Sequence, residues 1–164
     1  MSVDATLGGS SSDSYVSNAA VDAYWVNRND SVWDAATSAE ADAALREATQ
    51  YLDGKYDWVG SIATTTQSLG WPRLGAADKE NRDLTGIVPV GIVSSCCELA
   101  LQALSGPLVT PGADRGGDTK REKVGDIEVE YFASAPSGKT FDYVKLLLKG
   151  LTTNGNGYVE IIRG

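Results

Sequence analysis

Ser137-Gly138-Lys139-Thr140 comes nearest to a reaction centre, because it ends like a phosphate-binding loop between an alternating stretch and a helical one. A loop of that kind offers backbone N–H groups and a lysine to phosphate oxygens at the start of a helix. The remainder of the pattern is missing. Ala133 stands where the first glycine would fall, and Pro136 removes a backbone donor from the cradle. No apolar strand ending in Asp follows to hold Mg²⁺, and a turn leading into a Thr-capped helix accounts for the same residues.

The chain has no histidine in its 164 residues, which removes the usual general base near neutral pH and the commonest metal ligand. Cys96 and Cys97 are adjacent on a helical pattern and read as small buried side chains of a reducing compartment. The carboxylates show no calcium-loop or zinc spacing, and Asp42 with Arg46 reads as an ordinary i,i+4 pair on a helix surface. The expectation is no enzyme, no metal and no cofactor.

Binding is the remaining class of function. Lys+Arg 14 against Asp+Glu 22 gives a net charge of −8, so a grip on nucleic-acid phosphates needs a local patch. The densest basic cluster is Lys120, Arg121 and Lys123, with Arg115 nearby; Asp118 and Glu122 interrupt it, and no aromatic on that segment could stack a base. A solvated or protein-contacting edge fits it better than a DNA site. In Gln67-Ser68-Leu69-Gly70-Trp71-Pro72-Arg73 an aromatic, a locked φ and a permanent cation describe a fixed loop. Trp71 reads first as its anchor. Arg73 reads equally as an internal ion-pairing group or as a partner for a neighbouring subunit's carboxylate.

These residues need elements to position them. Residues 1–13 are Gly/Ser-rich, a flexible N-terminus ordered only through contacts. Ser17 is a good cap for a helix to about Asn29, with Val16 and Val21 at staple positions and Ala20, Val21, Tyr24 and Trp25 as its apolar stripe. Thr37 and Glu40 have capping-box spacing before a second helix, in which Ala41, Ala44, Leu45, Ala48 and Leu52 recur until Gly54 offers a stop. Residues 55–86 lack periodicity and predict a long structured loop packed by Tyr56, Trp58 and Trp71. Pro89 suits the first turn of a third helix, whose Val93, Cys96, Cys97, Ala100, Leu101 and Leu104 face the core.

Residues 106–119 read as a Gly/Pro-rich mobile loop, and from Val124 the pattern alternates, with Ile127, Val129 and Tyr131 on the apolar side. Thr140 is placed to cap a last helix with Tyr143, Val144, Leu147, Leu148 and Leu151 on one face. A C-terminal arm, about 154–164, carries the extended segment Tyr158, Val159, Glu160, Ile161, Ile162 and Arg163. Residues 124–132 and 158–163 either pair with each other or add to a neighbour's sheet. The chain reads as one mainly α domain: about four helices in a small bundle, a long structured loop and one or two short strands or extended arms. The N-terminus shows no basic region followed by an apolar run, and no apolar stretch approaches the ~18 residues that cross a bilayer.

Taken in order, Asp13-Ser14-Tyr15-Val16-Ser17, Ala20 to Tyr24, the segment from Ala44 to Trp58, the Gln67 to Arg73 loop, Ile87-Val88-Pro89, Glu98 to Leu104, Lys120 to Gly125 and Ile127 to Tyr131 resemble a family of small tailed-phage and prophage proteins labelled "DnaT-like ssDNA-binding protein". Its members are encoded among head and tail assembly genes and are similar to head–tail connectors. The resemblance implies a non-enzymatic virion adaptor, assembled in the host cytoplasm: a ring of copies between the portal protein and a downstream neck or tail protein, with genome DNA passing through the lumen unbound. The candidate contact residues are then Trp71, Arg73, Lys120, Arg121, Lys123, Ile127, Val129, Tyr131, Tyr158, Val159, Ile161, Ile162 and Arg163. The alternative is a replication accessory that binds single-stranded DNA, against which the −8 charge argues.

Overall fold

Thr37 starts the longest helix as its sequence demands. In the computed structural model, which describes residues 2–109, 121–124, 127–130 and 140–153, its hydroxyl accepts from the Glu40 N–H while Glu40 accepts from the Thr37 N–H at 2.8 Å. Two otherwise orphaned donors are thereby satisfied. Five helices and four short strands are assigned among the described residues: α1 (Asn18–Val26), α2 (Ser31–Asp34), α3 (Ser38–Lys55), β1 (Ser61–Ile62), β2 (Arg73–Leu74), α4 (Val90–Leu104), β3 (Arg121–Val124), β4 (Ile127–Glu130) and α5 (Asp142–Leu147). The protein is mainly α, as expected.

The core forms where α3 and α4 pack together. Ala41, Ala44, Leu45, Ala48 and Leu52 of α3 are buried, as are Ile92, Cys96, Cys97, Leu99 and Ala100 of α4. Each buried Leu or Ile contributes roughly 1.5–3 kcal/mol relative to exposure. Thr49 ties three elements at this seam, for its hydroxyl accepts from the Tyr15 N–H at 3.3 Å and lies 3.4 Å from Cys96 Sγ. Val16 and Val21 bracket the Ser17 cap and are both buried, as the staple spacing predicts. Val144, Leu148 and Leu151 close the core from the C-terminal side. α5 approaches α4 closely at Gly91, where a Cβ would lie 2.4 Å from the Leu147 carbonyl oxygen.

Several local expectations need correction. Gly54 does not stop α3, which runs to Lys55; Leu52 instead accepts from the Tyr56 N–H outside the helix. Ala20 is exposed, because the core meets α1 along Val21, Tyr24 and Trp25. Pro89 is the N-cap of α4 with ψ 144 rather than a first-turn residue, and it supplies no side-chain acceptor. Phe141, not Thr140, precedes α5, and Tyr143 is 54% exposed, so the last helix is shorter and turned differently from its apolar pattern. α2 was not expected: Asp30 caps it by accepting from the Val32 and Trp33 N–H groups.

The alternating segment is also not one strand. β3 pairs antiparallel with β4, with Arg121 opposite Glu130, Glu122 opposite Val129, Lys123 opposite Glu128 and Val124 opposite Ile127. Arg121 and Lys123 of the basic cluster therefore lie on one strand of a two-stranded pair, at register positions opposite Glu130 and Glu128. Lys120, Tyr131, the Ser137-Gly138-Lys139 segment and the arm bearing Tyr158, Val159, Ile161, Ile162 and Arg163 lie outside the described residues.

Candidate nucleic-acid interface

The loop after α3 is organised around one carboxylate. Asp53 accepts from the Tyr15 hydroxyl and the Trp58 indole N–H through Oδ1, the latter at 2.9 Å, and from the Gly70 N–H at 3.0 Å through Oδ2. Burial, then the Asp53 charge beside it, push the Tyr15 phenol far above its ordinary range. Gly70 is required at its position, since a Cβ there would meet Asp53 and Trp58 at 2.7–2.8 Å. Trp71 is 1% exposed, follows Gly70 into a cis peptide with Pro72, and meets Trp58 edge-on at 6.3 Å.

Arg73 completes the loop. Its Nε donates to the Val59 carbonyl at 2.7 Å, and its terminal nitrogens donate to the Gly70 and Gly60 carbonyls at 3.0 and 2.8 Å. The guanidinium thus bridges both sides of the loop, which also carry the β1–β2 pairing. Both members of the Trp-Pro-Arg signal are engaged by their own chain. The N-terminal segment seats on the same loop, with the Ser68 hydroxyl and N–H both donating to the Gly9 carbonyl at 3.1 Å, while inside the loop the Gln67 amide donates to the Leu69 and Pro72 carbonyls at 2.8 and 3.0 Å. Residues 2–13 are ordered through such contacts.

From Trp71 a run of aromatic rings continues outward. Trp58 stands 5.9 Å from Tyr56 at 36°, burial and then the nearby Tyr51 phenol raise the Tyr56 phenol above its ordinary value, and Tyr51 meets Phe141 edge-on at 5.6 Å. The inner rings, Trp71 and Trp58, are buried; the outer three, Tyr56, Tyr51 and Phe141, are half-buried. Lysines border that outer end. Lys55 is exposed and stands four residues after Tyr51, hence on the same face of α3. Lys145 is half-exposed on α5, bonded to Asp142 at 2.9 Å, and close enough to Tyr51 to offset the rise that burial imposes on its phenol.

Apolar ring surface beside cations is what a single nucleic-acid strand requires, because bases stack on rings while lysines meet phosphates. The sequence reading missed this patch. Tyr56 was assigned only to loop packing and Phe141 had no role, since α3 and α5 become neighbours only in the fold. Among the described residues no group of His, Cys, Asp and Glu is arranged to hold a metal ion, and no helix is long and apolar enough to cross a membrane.

Half-buried aromatic rings bordered by lysines have the composition that single-strand binders use. The family model described as "Putative DnaT-like ssDNA binding protein" matches residues 1–164, and the chain belongs to that family. It matches no curated protein and no solved structure. Membership corrects the adaptor expectation: the family is described by single-stranded DNA, not by a portal, a neck or a ring that DNA traverses unbound. The electrostatic objection fails for a physical reason. A net charge of −8 weakens a grip spread over the whole surface, but stacking on a local patch does not depend on the total charge.

Proposed function

We propose that the protein binds single-stranded DNA as a non-catalytic module, stacking bases on Tyr56, Tyr51 and Phe141 while Lys55 and Lys145 meet the backbone. The observation that carries this reading is family membership across the whole chain. The patch supplies the physical means. Base–aromatic stacking contributes about 1–3 kcal/mol per base, so two stacked bases suffice for a useful affinity without a basic groove. The acidic remainder of the surface disfavours duplex, which presents phosphates densely and hides its base faces.

The test is fluorescence anisotropy with a labelled oligothymidylate of about 20 nucleotides, long enough to cover any single-domain footprint. Tyr56→Ala with Phe141→Ala is expected to weaken binding by at least about tenfold, the loss of roughly one stacked base. Arg121→Glu with Lys123→Glu is expected to leave it nearly unchanged. The reverse pattern, with circular dichroism showing both variants folded, would move the site to the β3–β4 hairpin and refute the patch.

A further inference from the structure

The aromatic patch carries a carboxylate that a phosphate has to meet. Asp142 is the first residue of α5 and directly follows Phe141, the ring at the outer end of the aromatic run. Its Oδ1 accepts from Lys145 Nζ at 2.9 Å, and its side chain is 83% exposed. Burial raises the Tyr51 phenol, and the same lysine opposes that rise from nearby. Ring, carboxylate and cation thus fall within little more than one helical turn.

Charge at the patch is balanced rather than positive. Lys55 and Lys145 border the rings, while Asp142 and the exposed Asp57, which follows Tyr56, set two carboxylates against them. A phosphate approaching Lys145 finds that cation already held by Asp142 and has to displace the carboxylate while lying beside it. An exposed ion pair is weak enough to be displaced, but the like charge still opposes any phosphate that arrives without another source of binding energy. A base stacked on Phe141 is such a source. Duplex has none, since it carries about one charge per 1.7 Å of axis and keeps its base faces hidden.

Given the single-strand surface proposed above, on which this role rests, we infer that Asp142 is its specificity-determining residue: it holds Lys145 until a base stacked on Phe141 brings a phosphate to displace it. Stacking thereby becomes obligatory, and a polyanion without accessible bases is turned away. The carboxylate lowers affinity for the right ligand and lowers it more for the wrong one, which is how a repulsive group produces discrimination.

The test compares Asp142→Asn with the unmodified full chain by fluorescence anisotropy on labelled oligothymidylate of about 20 nucleotides, an abasic deoxyribose-phosphate oligomer of the same length, and a duplex. Asp142→Asn is expected to bind oligothymidylate about threefold more tightly at about 50 mM salt, the size an exposed charge pair supports, with a smaller gain at about 200 mM. The abasic oligomer and the duplex should gain by a larger factor, about tenfold. Loss of fold would weaken binding, so a gain reads the carboxylate itself; Asp142→Ser provides the same test should the Asn variant not fold. Asp34→Asn, the same charge change at an exposed site on α2, should leave all three affinities unchanged, and in Lys145→Ala the gain from Asp142→Asn should vanish. Unchanged or weaker oligothymidylate binding by a folded Asp142 variant overturns this role, as do equal gains on all three probes or a gain retained in Lys145→Ala. The patch itself still stands in those cases if Tyr56→Ala with Phe141→Ala lowers binding. If that double variant binds as the unmodified chain does, the patch is refuted and the role of Asp142 with it.

Discussion

Two parts of the molecule combine aromatic rings with cations, and they use them in opposite ways. In the Trp-Pro-Arg loop, Trp71 is sealed and every assigned donor of Arg73 ends on a carbonyl of the same loop. At the outer patch, Tyr56, Tyr51 and Phe141 keep part of their ring surface open beside Lys55 and Lys145. One region invests its hydrogen bonds in holding a long loop still, and the other depends on that stillness to present its rings. Residue type alone does not separate an anchor from an interface. Burial and the destination of each donor do.

The sharpest way to break this contrast is to substitute in each region and measure both stability and DNA affinity. Trp71→Ala should cost roughly 3–5 kcal/mol of unfolding free energy in urea, the usual loss for a buried tryptophan, and should lower DNA affinity only through unfolding. Arg73→Ala should cost roughly 2–3 kcal/mol, because three carbonyls lose a charged donor, and limited proteolysis should then open the loop between Gly60 and Gly70. Phe141→Ala should show the opposite balance: DNA affinity down by about fivefold or more in anisotropy, for roughly 1 kcal/mol or more of stacking lost, with a smaller change in urea midpoint.

The smallest effect concerns the interior thiols. Burial pushes Cys96 up to about 11 from an ordinary 9.0, with the Thr49 hydroxyl acting against the shift. Its folded value exceeds its unfolded one, so its contribution to stability is whole below about pH 9 and is lost as the pH rises to about 11. Urea midpoints should therefore fall across that window, and a thiol reagent at pH 8 should label neither Cys96 nor Cys97 until urea is added. Rapid labelling of the native chain would show the α3–α4 seam to be less closed than its packing implies.

Much of the helical frame was legible because its signals are local. The Val16–Val21 staple, the Thr37–Glu40 box and the apolar intervals of α3 and α4 each depend on residues a few positions apart, and each appears in the fold. Boundaries set by distant partners were not legible. Gly54 sits open at the end of α3 with nothing near its missing Cβ, so no contact made the helix end there. The β3–β4 hairpin was read as a charged run followed by one strand, although Gly125-Asp126 stands between Val124 and Ile127 as a turn signal. The candidate site was the least legible, since Tyr51 and Phe141 meet only when α5 closes on α3. Trp71 drew attention as the most distinctive residue, and it lies at the inner end of the ring series whose outer end is the proposed binding surface.

The most direct test of the central claim is the salt dependence of single-strand binding by the unmodified chain. With Lys55 and Lys145 as the phosphate contacts, log affinity should fall against log salt with a slope of about −1.4, a loss of about sevenfold between 50 and 200 mM. Saturable binding to labelled oligothymidylate with that shallow slope, and a clear preference over duplex, is the predicted result. No binding at 50 mM salt, or duplex bound as tightly as single strand, would contradict the account.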